Sequence, residues 1–198
     1  MAADVDICNM ALGYVLSQDT IVGLDDTTPA GVACNRFYEI CRNMMLQRYP
    51  WSFAQKTLVL SLKGSELIPN WYYCYALPSD CLDVQCILSI GARYPTGDMS
   101  VPFELGWYDG QRVLFTDETE ATLRYTGIID DSTLFPPDVV EGLAVMIASR
   151  ICVPLGKMDM QGELMLLAEK LLAMAAARDM SQLQRGPEPD GPLVLSRL

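Results

Sequence analysis

The sequence predicts an α+β protein. A four-helix bundle is formed by both ends of the chain, an antiparallel β-sandwich or open barrel is inserted between its second and third helices, and an extended C-terminal tail follows. Three observations predict this. Thirteen of the 17 aromatic residues, with all three Trp, lie between Tyr49 and Tyr125, while ten of the 11 Met lie outside residues 51–132. Aromatic side chains suit a pleated, half-buried surface and methionine favours helix, so the centre reads as β and the ends as α. The hydrophobic period also changes from helical to alternating after Ser52. Finally, Asp109-Gly110 stands between aromatic-rich arms as the φ > 0 pair of a two-residue hairpin turn. The boundaries that follow are 1–50 with 133–184 for the helical bundle, 51–132 for the β insertion and 185–198 for the tail.

A first helix over about Asp4 to Leu16 carries an apolar face at Ile7/Cys8, Ala11/Leu12 and Val15. After a turn with Gly23 and Asp25-Asp26, Thr28 is placed to cap a second helix, with Pro29 at its first position, where a missing N–H costs nothing. Its expected buried stripe is Ala33, Phe37, Ile40/Cys41 and Met44, and Pro50 stops it. Strands are expected at about 56–62, 71–77, 82–90, 103–108, 111–116 and 121–129. In the second of them Trp71, Tyr73, Tyr75 and Leu77 alternate with Tyr72, Cys74 and Ala76, and Pro78 ends it. Helix chemistry resumes after Phe135-Pro136-Pro137, where Asp138 and Glu141 have capping-box spacing. The third helix is expected to bury Val140, Leu143/Ala144, Ile147 and Ile151. A fourth, about Asp159 to Leu183, is expected to bury Leu164, Leu167/Ala168, Leu171 and Met174/Ala175, with Ala173 and Ala175 to Ala177 allowing close helix approach.

Composition then narrows the function. The chain of 198 residues carries 25 Asp plus Glu against 14 Lys plus Arg, a formal charge of −11. A protein of that charge repels phosphate, so stable nucleic-acid binding needs a local basic patch. With no histidine, the Ser-His-Asp and Cys-His arrangements and imidazole zinc sites are excluded. The seven cysteines are odd in number, form no C-x-x-C pair and sit among apolar neighbours, and so read as buried thiols. The start, Met1-Ala2-Ala3-Asp4, carries acid where a signal peptide carries base, and no apolar run reaches the ~18 residues of a membrane span. The expectation is a soluble intracellular product with no membrane partner.

Without histidine an enzyme would draw on paired carboxylates, and Asp25-Asp26, Asp117-Glu118 with Glu120, and Asp130-Asp131 are the candidates. Each stands at an expected turn, where Asp caps backbone N–H groups, so solvated loop acid is the default. The block Trp71-Tyr72-Tyr73-Cys74-Tyr75 has the aromatic content of a stacking platform for single strands. Residues 51–132 hold 11 acids against 5 bases, however, which favours a sheet core. No phosphate loop, nucleophile elbow or metal motif is present. No catalytic residue, cofactor or metal is expected, and the residues describe a protein that is not an enzyme.

At Tyr49-Pro50-Trp51-Ser52-Phe53-Ala54 the chain resembles the bacteriophage head-to-tail adaptor family that includes the podovirus tail tubular protein A. The likeness extends through Leu24-Asp25-Asp26, then Ala33-Cys34-Asn35-Arg36 with Tyr38, then Tyr75-Ala76-Leu77-Pro78-Ser79-Asp80-Cys81-Leu82, and Leu123-Arg124-Tyr125. These stretches run in order over roughly residues 4 to 180. Family members often have His where Tyr49 stands and Arg where Asp83 stands, so the resemblance is to a divergent member. It implies a helical bundle with a β insertion, and a structural role in the virion at the head-to-tail interface. It further implies a dodecameric ring beneath the portal protein, docking of a tail nozzle or tail tube protein, and a channel through which genome DNA passes without specific binding. Twelve copies at −11 each carry roughly −130 before counterions, which suits a conduit that must let phosphates slide. The competing expectation, from another class, is a carboxylate-dependent cell-wall hydrolase of a phage tail.

The tail opens as Gly186-Pro187-Glu188-Pro189-Asp190-Gly191-Pro192, which resists helix and behaves as a tether. It closes with an apolar, β-prone cluster, Leu193-Val194-Leu195 and Leu198, beside Arg197. These five residues are the expected docking segment, an added strand or short anchor that reaches a neighbouring subunit or the portal, the alternative being a frayed end that packs loosely on its own bundle. Terminal grips of this kind are what the resemblance implies.

Overall fold

The computed structural model describes residues 3–64, 70–88 and 101–182. Among them run α1 (Asp4–Tyr14), α2 (Pro29–Arg48), β1 (Gln55–Val59), β2 (Leu62–Gly64), β3 (Tyr73–Ala76), β4 (Cys81–Leu88), β5 (Phe103–Tyr108), β6 (Gln111–Thr116), β7 (Thr122–Gly127), α3 (Pro137–Ile151) and α4 (Gln161–Gln182). The fold is α+β, with four α-helices and two antiparallel sheets among the described residues. The tail, 185–198, lies outside them.

The helices begin where local chemistry starts them. Asp6 accepts the Ala3 N–H at 2.9 Å in the first turn of α1, where negative charge meets the positive end of the helix. Thr28 caps α2 as its sequence position predicts, its Oγ1 accepting the Gly31 N–H at 3.1 Å with Pro29 at the first helical position. Gly31 has a packing reason, since a Cβ there would stand 2.4 Å from the Asp26 carbonyl oxygen.

Which faces are buried differs from expectation in three places. In α2 the stripe is rotated by about one residue: Ala30, Ala33, Cys34, Tyr38, Cys41 and Met45 are buried, whereas Ile40 and Met44 are 54% and 41% exposed and Phe37 is only half-buried. The polar-headed residues win because each buries its stem or ring while the polar end meets a carboxylate nearer the surface. The Tyr38 hydroxyl donates to Asp4 at 2.7 Å, and the buried Arg42 guanidinium meets Asp130 at 3.0 Å.

In α3 the predicted stripe is buried, and so are Val139, Gly142, Val145, Met146, Ala148 and Ser149, because this helix packs against each of the other three. The expected capping box does not form. Pro136 occupies the cap position and the helix starts at Pro137, so Asp138 falls inside the first turn and pairs with Arg178 at 2.6 Å, while Glu141 accepts the Tyr14 hydroxyl at 3.2 Å.

In α4 the buried stripe is narrower than expected: Leu164, Ala168, Leu172, Ala175 and Ala176. Leu167, Ala173, Met174 and Ala177 are exposed and Leu171 is half-buried. α4 approaches α3 closely over Gly142, where a Cβ would come within 2.6 Å of Leu172 Cδ2.

The expected strand 56–62 is two strands. β1 joins a three-stranded sheet of order β1-β7-β4, and β2 joins a four-stranded sheet of order β2-β3-β6-β5. The chain crosses between sheets at Leu60-Ser61, where the Leu60 N–H donates to the Ala121 carbonyl and the Ser61 carbonyl accepts the Ala76 N–H. At the β5–β6 turn Asp109 (φ 51°) and Gly110 (φ 70°) form the positive-φ pair that Asp-Gly predicts. Two hydrophobic clusters result. One gathers the inner faces of all four helices with Trp51, Ala54 and Phe135. The other lies between the sheets, with Leu123 and Ile87 from one meeting Tyr75 and Leu114 from the other. All seven cysteines are free; six are buried and Cys86 is half-buried.

Candidate functional site

Many of the residues that carry the resemblance converge on one seam, where helices meet sheets. Pro50 halts α2, and the chain turns through Trp51, which is buried and donates its indole N–H to the Met45 carbonyl at 2.8 Å. That bond satisfies one of the helix's last carbonyls. Its ring stands edge-on to Tyr49 (5.4 Å between centroids) and against Phe53 (5.6 Å), which continues to Phe135 at 5.7 Å, just before α3. Ser52 donates both its backbone N–H, at 2.8 Å, and its hydroxyl to the carboxylate of Asp179 on α4. Arg48 of α2 pairs with Glu169 of α4. The end of α2, the entry to α3 and the C-terminal half of α4 are therefore fixed at one joint.

The sheet side of the seam is polar. Lys56 on β1 donates to Asp80 at 2.6 Å and to the Ile128 carbonyl at 3.2 Å, while the Tyr125 hydroxyl donates to the other Asp80 oxygen at 3.2 Å. The Lys56 ammonium holds the Asp80 carboxyl below the usual carboxylate range. Burial, with the neighbouring carboxylate, pushes Tyr125 up to about 12. Gly127 makes room for the lysine, since a Cβ there would lie within 2.6 Å of its side chain. Gln47 of α2 donates to the Leu82 carbonyl at 3.2 Å, a further link from helix to sheet.

One carboxylate of each adjacent Asp pair, Asp26 and Asp131, is engaged as a turn cap. Asp26 accepts the Thr28 N–H at 2.9 Å, and Asp131 accepts both the hydroxyl and N–H of Thr133, at 2.6 and 3.0 Å. These bonds hold both carboxyls below their ordinary range, the opposite of what a general acid requires. Asp117 accepts the Tyr72 N–H at 3.0 Å, and Asp130 meets Arg42. The structure does bring two pairs to one face. Leu24 lines both an open groove of about 470 Å³ with Asp25, Asp26 and Arg36, and a second of about 420 Å³ with Asp4, Asp130 and Asp131. The face is mainly acidic, with Arg36 beside the first pair, and its lining hydroxyls are those of Thr27, Ser132 and Thr133, of which Thr133 donates to Asp131.

The aromatic block serves the sheet. Tyr75 is buried and its hydroxyl donates to the Glu118 and Thr119 carbonyls at 2.9 and 2.7 Å, and the Trp71 indole donates to Glu104 at 2.8 Å. A carboxylate there would repel a phosphate backbone. The nearby cation Lys63 is occupied with Gln111 at 2.7 Å and stands over the Tyr108 ring.

Two surfaces escape sequence reasoning. Trp107, on edge strand β5, is 72% exposed, and the outward side of α4 presents Leu166, Leu167 and Met174. Periodicity gives an apolar residue no outward position once the pattern is apolar on both sides. The expected docking residues Leu193, Val194, Leu195, Arg197 and Leu198 lie outside the described residues. Among the described residues no group of three or more Cys, Asp or Glu is placed to hold a metal ion, and no helix is long and apolar enough to cross a membrane. Compared with known proteins, the chain matches no family model and no curated protein.

Proposed function

We propose that this chain is a structural head-to-tail adaptor of a tailed bacteriophage, one copy of a dodecameric ring that sits under the portal protein, docks a tail nozzle or tail tube protein and lines the DNA channel. The observation that carries this reading is the seam. Of the stretches that carry the resemblance, Tyr49–Ala54 and Leu82 join helix to sheet, and Asp80 with Tyr125 ties the strands together beside them. An adaptor needs such joints, because it transmits load between two partners through a rigid body.

In this reading the helices of both chain ends form one four-helix bundle that builds the ring wall, and the β insertion faces a neighbouring tail component. The charge of −11 per copy keeps the channel from holding the genome. The engagement of Asp26 and Asp131 in capping, and of Asp130 with Arg42, supports a role without chemistry, and no enzyme, cofactor or membrane step is invoked. The C-terminal residues Leu193 to Leu198 grip the portal.

The test is native mass spectrometry of the full chain with and without the portal protein of the same phage. The expected result is little or no ring alone and twelve copies per portal ring in the mixture. A stable dimer unchanged by portal would overturn the assignment. Clearing of peptidoglycan in a zymogram, lost on mutating one carboxylate pair, would replace it with the hydrolase reading.

A further inference from the structure

α4 packs chiefly on α3, meets α2 through the Arg48–Glu169 pair, and presents apolar side chains outward as well as inward. Leu166 is 72% exposed and Met174 is 60% exposed, with Leu167 beside them. The pairs Leu166/Ala173 and Leu167/Met174 are each seven residues apart, so they recur on one side over two turns, about 10.5 Å along the axis. Ala173 and Ala177 leave the strip low between its larger members, the exposed Lys170 stands at its middle with an aliphatic stem to lay along it, and Glu163 is exposed in the first turn of the helix. A solvated face on an otherwise well-packed helix has no reason for this composition.

The chain itself contains a matching segment. Ten residues, 183–192, separate the end of α4 from Leu193, and they include three prolines and two glycines. A spacer of this kind spans up to roughly 33 Å, while the distance back along α4 from Gln182 to Leu166 is roughly 24 Å. Residues Leu193 to Leu198 therefore reach any point of the strip. Laid back against the helix direction, Arg197 arrives near Glu163, the opposite charge at the far end.

We infer that Leu193, Val194, Leu195 and Leu198 dock on the outward Leu166–Leu167–Met174 face of their own α4. The choice of the same copy follows from magnitude. A contact of three or four aliphatic side chains is too weak to hold a free peptide at micromolar protein, whereas a short flexible link supplies an effective concentration in the mM range. A second copy offers no such advantage in dilute solution. This docking is a property of the free chain and does not depend on the adaptor reading; on that reading the same residues leave α4 when they take hold of the portal.

The experiment uses protein labelled with ¹³C at the methionine methyls and a soluble gadolinium chelate, comparing the full chain with a chain ending at Arg185. The Met174 methyl is expected to relax at least twofold faster in the shortened chain, while those of Met10 and Met44, exposed on other helices, stay unchanged and report an intact fold. The double variant Leu195→Ser/Leu198→Ser in the full-length chain should reproduce the Met174 change, with no dependence on protein concentration. Equal Met174 relaxation in all three chains would overturn the proposal. So would protection in the full chain that disappears on dilution, since that would mean docking between copies.

Discussion

Lys56 and Asp80 meet at 2.6 Å between β1 and the turn that precedes β4, and Tyr125 closes the group from β7 by donating to the carboxylate at 3.2 Å. Asp80 is therefore held as carboxylate below its ordinary range, and Tyr125 is held as phenol up to about 12. The folded carboxyl binds its proton more weakly than the unfolded one. Its stabilising contribution is thus complete above the unfolded value near 4 and is lost as pH falls through the folded value. The folded phenol binds its proton more tightly, so its contribution is complete below about 10 and is lost as pH rises towards 12. Asp80→Asn should cost about 1 kcal/mol at pH 7, a figure kept small because both side chains of the ion pair are about a third exposed. It should also flatten the acid limb of a denaturation-midpoint profile. Tyr125→Phe should flatten the alkaline limb instead.

The α3–α4 contact predicts opposite outcomes for two glycines. Gly142→Ala places a methyl against Leu172 in a packed interface, so a loss of about 1–3 kcal/mol is expected in urea unfolding. Gly162, in the first turn of α4, has nothing within 4 Å of the added methyl. Gly162→Ala should stabilise by a few tenths to about 1 kcal/mol through helix propensity.

Arg42 and Asp130 form an asymmetric pair, the guanidinium 9% exposed and the carboxylate 83%. Removing the buried partner leaves behind only a solvated carboxylate. Removing the exposed one strands a buried cation, which loses its strongest acceptor. Asp130→Ala should therefore destabilise more than Arg42→Met, which keeps the packed stem: about 1–3 kcal/mol against less than 1. Equal losses in a denaturant series would contradict the asymmetry.

The fold was legible in sequence wherever a local rule acted alone. Thr28-Pro29 starts α2, Asp109-Gly110 turns the hairpin, and Ile7, Cys8, Ala11 and Leu12 face inward on α1. It was illegible where a tertiary partner overrode the pattern. Hydropathy ranks Ile40 above Arg42 for burial, yet the arginine is buried, its guanidinium reaching the exposed Asp130, and Ile40 is left outside. Strand propensity runs on through Leu60-Ser61, and only the facing sheets divide it. Of the candidate site, the quoted aromatic and acidic residues at the seam were visible as a string, but their meeting with Ser52–Asp179 and Lys56 required three dimensions.

The cysteines give the last prediction. Burial pushes the Cys41 and Cys81 thiols up to about 11 and raises those of Cys74 and Cys152, so the thiolate that attacks a disulfide reagent is scarce at each of them. Cys86 is also shifted upward by burial, but it is only half-buried and stands on β4 opposite Arg124. In native protein at pH 8, titration with an aromatic disulfide reagent should thus release a single slow equivalent, assigned to Cys86 by its loss in Cys86→Ser. The other six should appear together only on unfolding, because α1, α2, α3 and both sheets must open to expose them; this includes Cys34, whose thiol is shifted downward by its hydrogen bond with Cys8 but is fully buried. Rapid release of one equivalent that survives Cys86→Ser would identify an activated thiol elsewhere and favour redox chemistry over a structural role.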